Sequence, residues 1–455
     1  MSKSRDRLFG LSTQAKENLI KQVLKRQSRQ KLEDPAVTPD RRGGARRPAP
    51  EQIPESFYRF DKLPGYQQLM VQKAAADQIG IDNPFFHQHQ AIARSTSVIE
   101  GREYINFASY SYLDLNGHPE VSRAAREAID RYGTSVSASR PVSGERPLHA
   151  ELEAELAALH GVDAAVAFVS GHATNVTTIG YLFGPKDLVL HDALIHNSVL
   201  QGIQLSGAHR ISFPHNDWQA LDAILNSRRG EFNRVLIVIE GIYSMDGDCP
   251  ELGRFVEIKR RHKAFLMVDE AHAIGVLGRN GRGLAEEQEI DSREVDIWMG
   301  TLSKTLASCG GYIAGSHALV EHLKFSAPGF LYSVGMAPPV AAAALAALRL
   351  MRQEPERVAR LRRRGSLFLK LARQQGIDTG HSAGYGIVPA VTRSSIVAGR
   401  LANALYRRGI NVPPIVYPAV EEGAARLRFF LNSSHTEEQI AHTVDVLAEE
   451  FAKVV

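Results

Sequence analysis

Four short apolar runs in the middle of the chain each stop at a polar cluster. They are AAVAFVSG (Ala164 to Gly171), RVLIVIEGI (Arg234 to Ile242), AFLMVDEAH (Ala264 to His272) and IWMGTLSK (Ile297 to Lys304). Runs this short, rich in β-branched residues and separated by helix-patterned sequence, read as strands buried on both faces. That pattern belongs to a parallel sheet covered by helices, so the expected fold class is α/β. Folds of this kind collect their functional residues at the carboxyl ends of the strands. Here SG, EGIYS, DEAH and TLSK stand at those ends. After Ala337 the pattern changes. APPVAAAALAALRLMRQEPERVARLRRRGSLFLKLARQQ reads as one or two long helices, and shorter mixed segments run to Val455, as in a second, smaller α+β lobe.

A chain of 455 residues fits two packed lobes with extensions. Its 44% apolar and 23% charged content is that of a globular protein able to bury a core without disulfides. Two cysteines, Cys249 and Cys309, do not make a secreted disulfide framework, and a reduced cytoplasmic protein is expected. No apolar stretch is long enough to span a bilayer. The first residues lack the apolar block of a signal peptide. Up to Arg47 there are 13 Lys/Arg against 5 Asp/Glu, a net +8, so the chain's overall +4 leaves −4 for the remainder. The basic character therefore belongs to a leader. It fits a solvated tail or contact with an acidic protein and is no signal for nucleic acid.

Within that leader, Leu11, Ala15, Leu19 and Val23 recur at helical spacing, and Ile20 and Leu24 widen the stripe. An amphipathic helix from Leu11 to Gln27 with Ser12 as its cap is expected. EDPAVTPDRRGGARRPAPEQIPE then reads as a linker, and GYQQLMVQKAAADQIGI as a second helix. The expected organisation is a leader over residues 1–55, an N-terminal segment over 56–105, a large domain over 106–340 and a small one over 341–455.

Asp269 and Lys304 stand on successive strand ends. A lone Asp after a strand is ordinarily a cap or half of a buried ion pair, since a buried carboxylate needs donors. A lysine in a water-poor pocket loses its proton readily and forms a Schiff base with a carbonyl. An acid that pairs a protonated pyridine nitrogen, together with such a lysine, is the combination pyridoxal 5'-phosphate (PLP) requires. SGHATN (Ser170 to Asn175) follows one strand and opens a helix, so its backbone N–H groups suit a phosphate, although an ordinary strand–helix turn has the same form. Thr301 and Ser303 add hydroxyl donors beside Lys304. His196, in HDALIHNSVLQG, lies where a helix begins and suits either a ring-stacking or a capping role. Period-two alternation puts Arg426 and Arg428 on one face of a strand, where an inward Arg can grip a carboxylate bidentately or serve an ion pair.

With these residues assembled, the chain resembles the α-oxoamine synthase family of fold-type I PLP enzymes. The likeness runs from about Asn83 to Val455 through REYINFASYSYLDL, LHAELEAELAALHG, SGHATN, EGIYSMDGDCPEL, MVDEAHAIGVLGRNGRG, TLSK and ARLRFFLNSSH. It implies a mainly parallel seven-stranded sheet and a homodimer. Lys304 would carry PLP and later move the substrate's α-proton. Asp269 would pair the pyridine nitrogen, His272 and Ser244 the ring hydroxyl, and His196 would stack on the ring. Gly171, His172 and Thr301 would hold the phosphate, and Arg428 the substrate carboxylate. The implied reaction is a decarboxylative Claisen condensation of glycine, alanine or serine with an acyl thioester of coenzyme A or of a carrier protein. It gives an α-amino ketone, CO₂ and a free thiol. An aminotransferase and a non-catalytic supporting subunit are the alternatives. Such subunits lose the lysine, which is present here.

The chain departs from the family pattern near the substrate. Tyr110 stands where an Asn is usual and Asp114 where a Gly is usual. Val334 and Gly335 replace a Thr–Ser pair that reaches the partner subunit's phosphate. GTSVSASRPVSGERPLHAELE and the long leader resemble members associated with polyketide synthases, which implies acyl carrier protein as the thioester donor.

Overall fold

The computed structural model describes residues 53–454. The expected leader helix from Leu11 to Gln27 lies outside them, as does the linker up to residue 52. The described chain forms two compact units, one of residues 88–390 and 428–448, the other of residues 53–87, 391–427 and 449–454. No helix among the described residues is long and apolar enough to cross a membrane.

The larger unit begins with a hairpin, β1 (Thr96–Ile99) against β2 (Arg102–Asn106), paired antiparallel. A seven-stranded sheet follows, made of β3 (Ala164–Phe168), β4 (Leu188–Asp192), β5 (His209–Phe213), β6 (Val235–Glu240), β7 (Phe265–Asp269), β8 (Ile297–Thr301) and β9 (Gly311–Gly315). Its order is β3-β9-β8-β7-β6-β4-β5. The pairs β4–β5, β4–β6, β6–β7 and β7–β8 are parallel, and only β9 runs against its two neighbours. The four apolar runs are thus β3, β6, β7 and β8. Their near-continuous burial is what a sheet covered on both faces requires. On one face Val166, Val189, Val238 and Met267 pack with Ile179, Val199 and Ile203 from the helices Gly171–Leu182 and Asn197–Ser206. Burial of each such side chain is worth about 1.5–3 kcal/mol.

β9 explains the small residues after Lys304. A Cβ on Gly311 would lie 2.6 Å from the Cα of Gly171 and 2.5 Å from Thr174 Oγ1. Only glycine lets this strand pass so close to the start of the helix after β3. The alanine-rich stretch after Ala337 resolves into two helices, Pro338–Gln353 and Glu356–Gln374, divided at Pro355.

In the smaller unit the expected helix appears as Pro64–Gln78, with proline at its first position, where no N–H is needed. Arg407 Nη2 pairs with Asp82 at 3.0 Å, and the His87 and Tyr406 rings stack 4.4 Å apart.

Candidate functional site

Three parallel strands bring their carboxyl ends together. β8 ends at Thr301, β7 at Asp269 and β6 at Glu240. β7 pairs with both of the others, with Asp269 opposite Met299 and Glu240 opposite Asp269. The site residues expected from sequence gather around this edge.

An anion cradle forms where β3 meets its helix. Ser170 caps the helix, its hydroxyl accepting the Ala173 N–H and its carbonyl the Thr174 N–H. By helix geometry the N–H groups of Gly171 and His172 have no carbonyl in their own turn, and they lie at the positive end of the helix. Thr301 Oγ1 sits 2.7 Å from where a Gly171 Cβ would stand, so the hydroxyl and the backbone donors share one small space. Thr301 donates to the Gly310 carbonyl at 2.9 Å and bonds Ser303 Oγ at 2.8 Å.

One turn further on, Asn175 lies on the same face of that helix as Gly171. Its Nδ2 donates to Asp269 Oδ2 at 2.8 Å and to Ser198 Oγ at 2.9 Å. The other carboxylate oxygen, Oδ1, takes the Ala271 N–H at 3.0 Å. Asp269 is therefore buried with donors on both oxygens. Ser198 passes the network on to His196, whose Nδ1 is 2.7 Å from Ser198 Oγ and accepts the Ser198 N–H. The capping role open to His196 is real, and the cap holds its ring toward Asp269 and Lys304. Burial lowers the pKa of His196, against the pull of Asp269 and with the help of Lys304. Its backbone N–H donates to Glu240 Oε1 at 2.7 Å. Burial, with Asp269 nearby, raises the Glu240 pKa well above the usual carboxylate range.

Lys304 is enclosed. Burial pushes its ammonium down to about 8, opposed chiefly by Asp269. At neutral pH a useful fraction of the amine is uncharged. His272 is held by Tyr112, whose hydroxyl lies 2.7 Å from Nδ1. Burial and the cations of Lys304 and Arg428 keep this imidazole neutral. The Tyr112 hydroxyl also stays protonated, because burial raises it well above 10. Arg428, on the strand Arg426–Phe430, donates from Nη1 to the Ser244 carbonyl at 2.9 Å and lies 4.7 Å from the Phe430 ring centre. The Tyr110 ring sits 5.8 Å from Lys304 Nζ. His172 stands edge-on to His196, their ring centres 6.5 Å apart. A cavity of about 340 Å³ opens onto Lys304, lined among others by Asn106, Ser109, Tyr110, Ser303 and Ser308.

The aminotransferase class I and II family model matches residues 102–447. The 8-amino-7-oxononanoate synthase of Geobacter sulfurreducens is 43% identical over 357 residues, 78% of this chain and 90% of that one. The chain belongs to the α-oxoamine synthase family. Solved members share the fold. Serine palmitoyltransferase from Sphingomonas wittichii superposes with a TM-score of 0.81 at 27% identity, covering 86% of this chain and 98% of that one. A further solved serine palmitoyltransferase, bound to PLP, matches with the same score and coverage.

The structure adds residues to which sequence reasoning gave no role. Asn175 and Tyr112 were within quoted motifs, and so was Glu240. The helical spacing of Asn175 from Gly171 was a usable signal for the first. For Tyr112 and Glu240 there was none, because their roles depend on contacts across 160 and 44 positions of sequence.

Proposed function

We propose that this family member uses PLP to condense an amino acid with an acyl thioester, releasing CO₂, a free thiol and an α-amino ketone. The observation that carries the reading is the convergence of Lys304 and Asp269 from adjacent strand ends beside the Gly171–Thr301 cradle. These residues fit the cofactor part by part. The cradle suits a phosphate, the carboxylate suits a protonated pyridine nitrogen, and the buried amine suits the aldehyde carbon. Between nitrogen and phosphate, His196 offers a ring face, and His272 and Ser244 offer polar atoms.

PLP, when bound, supplies a ring that accepts the electron pair left on the substrate's α-carbon. The chain's own residues do the rest. Arg428 binds the substrate carboxylate, a role its position beside Ser244 and Phe430 supports. Lys304, once the substrate amine has taken its place, removes the α-proton, for which a pKa near working pH is suited. Asp269 is held in place by a donor on each carboxylate oxygen. Neutral His272, fixed by Tyr112, donates or accepts one hydrogen bond without adding charge. Free thiol should appear only when amino acid and acyl thioester are both supplied to the PLP-loaded protein. Thiol release that does not need the amino acid would contradict the reading.

The lowered pKa of Lys304 gives a kinetic expectation. Only the uncharged amine attacks an aldehyde, so PLP uptake by the cofactor-free protein should rise about tenfold per pH unit below pH 8 and flatten above it. Stopped-flow absorbance checks this. A rate still climbing between pH 9 and 10 would mean an ordinary, exposed lysine.

We further propose a cytoplasmic homodimer that takes its acyl group from an acyl carrier protein. Val142, Tyr332 and Val334 are exposed apolar side chains, 80%, 85% and 50% accessible, which supports a covering second copy. The +8 leader supports an acidic carrier. Deleting Met1 to Pro50 should raise KM for an acyl carrier substrate about tenfold at low salt and leave coenzyme A thioesters unaffected. Equal rates with both donors would remove the leader from the account.

A further inference from the structure

We propose that His215 is a positioning residue for amino-acid binding: it bridges two carboxylates, holds the loop that carries Ser244, and through that loop sets the Arg428 guanidinium. This rests on the synthase reading above and concerns how the substrate carboxylate is held within it.

His215 follows β5 and stands outside the cluster around Lys304. Its Nδ1 lies 2.9 Å from Asp192 Oδ1 and its Nε2 lies 2.9 Å from Asp248 Oδ2. A carboxylate oxygen only accepts, so both ring nitrogens carry hydrogen and the ring is an imidazolium. Burial alone would lower the pKa of this ring, but its bonds to Asp192 and Asp248 outweigh burial and raise it to about 10. The Tyr243 ring stands edge-on to it at 4.5 Å, and the His381 ring lies 6.4 Å away.

The two ends of the bridge are not alike. Asp192, the last residue of β4, is anchored whatever His215 does. Its Oδ1 also accepts the Leu194 N–H at 2.8 Å, and its Oδ2 accepts the Asn216 N–H at 2.7 Å. Asp248, in the loop after β6, has less. Its Oδ2 accepts from His215 and from Asn216 Nδ2 at 2.8 Å, while its Oδ1 is buried with no partner among the described residues. The imidazolium supplies the charge opposite this carboxylate. Without it, two poorly solvated carboxylates face each other unmatched.

The loop over residues 241–248 is closed on itself. The Tyr243 N–H donates to the Asp248 carbonyl at 2.9 Å, and the Gly247 N–H to the Tyr243 carbonyl at 2.8 Å. Gly247 has φ 78°, and a Cβ there would strike the Ile387 carbonyl. With no slack at this tip, a shift at Asp248 passes on to Ser244. The Ser244 carbonyl in turn accepts from Arg428 Nη1 at 2.9 Å. His215 thus acts on the substrate only through Arg428, and only on a substrate that has a carboxylate.

The test titrates PLP-loaded protein with glycine and with glycinamide, which has the amine but no carboxylate, following the visible band. In His215→Gln, half-saturation by glycine should rise about tenfold, and that by glycinamide should change by less than about twofold. In an Arg428→Ala background, adding His215→Gln should raise half-saturation by glycine by less than about twofold further. Should His215→Gln fail to take up PLP, Asp248→Ala cuts the same link from the loop side and is read in the same way. Equal weakening of glycine and glycinamide would make His215 merely structural and overturn the inference. So would glycine binding left unchanged, or a full further loss in the Arg428→Ala background. Each of these leaves the synthase reading standing. Absence of any band in the unmodified protein removes both.

Discussion

Lys304→Ala removes the visible absorbance band that PLP gives with the unmodified protein and lowers turnover by about 10³-fold or more. No neighbouring amine replaces it, because Arg428 cannot lose its proton and the neutral imidazoles of His196 and His272 are fixed to Ser198 and Tyr112. The same substitution has a signature in the cofactor-free protein that does not involve turnover. In the unfolded chain this lysine titrates near 10.5, and in the folded chain near 8. Between those values the unfolded state binds more protons, so stability rises with pH. Below pH 8 the folded protein carries the full cost of a buried ammonium, and above about 10.5 it carries none. Cofactor-free protein should therefore gain about 2–4 kcal/mol relative to Lys304→Ala as pH is raised through that window. Urea unfolding of both proteins at pH 7 and pH 10 measures it. Parallel pH dependence in the two would mean that Lys304 is not enclosed.

Asp269→Asn separates holding the cofactor from activating it. The side chain keeps its size, and its amide oxygen can still accept the Ala271 N–H, while the amide nitrogen takes the place of the oxygen that accepted from Asn175 Nδ2. Lys304 and the Gly171–Thr301 cradle are untouched, so the visible band should persist. The charge that would keep a bound pyridine nitrogen protonated is gone, and turnover should fall about 10²–10³-fold. Band and turnover are read from the same preparation. Full activity in Asp269→Asn would show that the carboxylate is only structural, the ordinary role of an Asp after a strand.

The four strands that end in polar clusters were legible because β-branched runs of five or six residues leave little alternative between short polar turns. Asp269 and Lys304 were legible for the same reason, since each closes such a run. β9 was harder to see. Gly311–Gly315 carries glycine at both ends, where strand propensity is poor, and its glycines answer to the helix start at Gly171 rather than to the strand itself. The helix after β3 was legible from SGHATN, and the unbonded N–H groups of its first turn follow from Ser170 as a cap. Asn175 was in plain view but without a partner, because its link to Asp269 spans 94 residues. Tyr110 could be noticed as a departure from the family pattern. Its placement against Lys304 came only with the structure.

The most direct test of the account is to supply PLP-loaded protein with carboxyl-labelled glycine and an acyl thioester and to collect the CO₂. The account predicts labelled CO₂ released in equal amount with free thiol, dependent on both substrates and lost in Lys304→Ala. Formation of a keto acid from glycine, with the label retained and no CO₂, would make the chain an aminotransferase and contradict it.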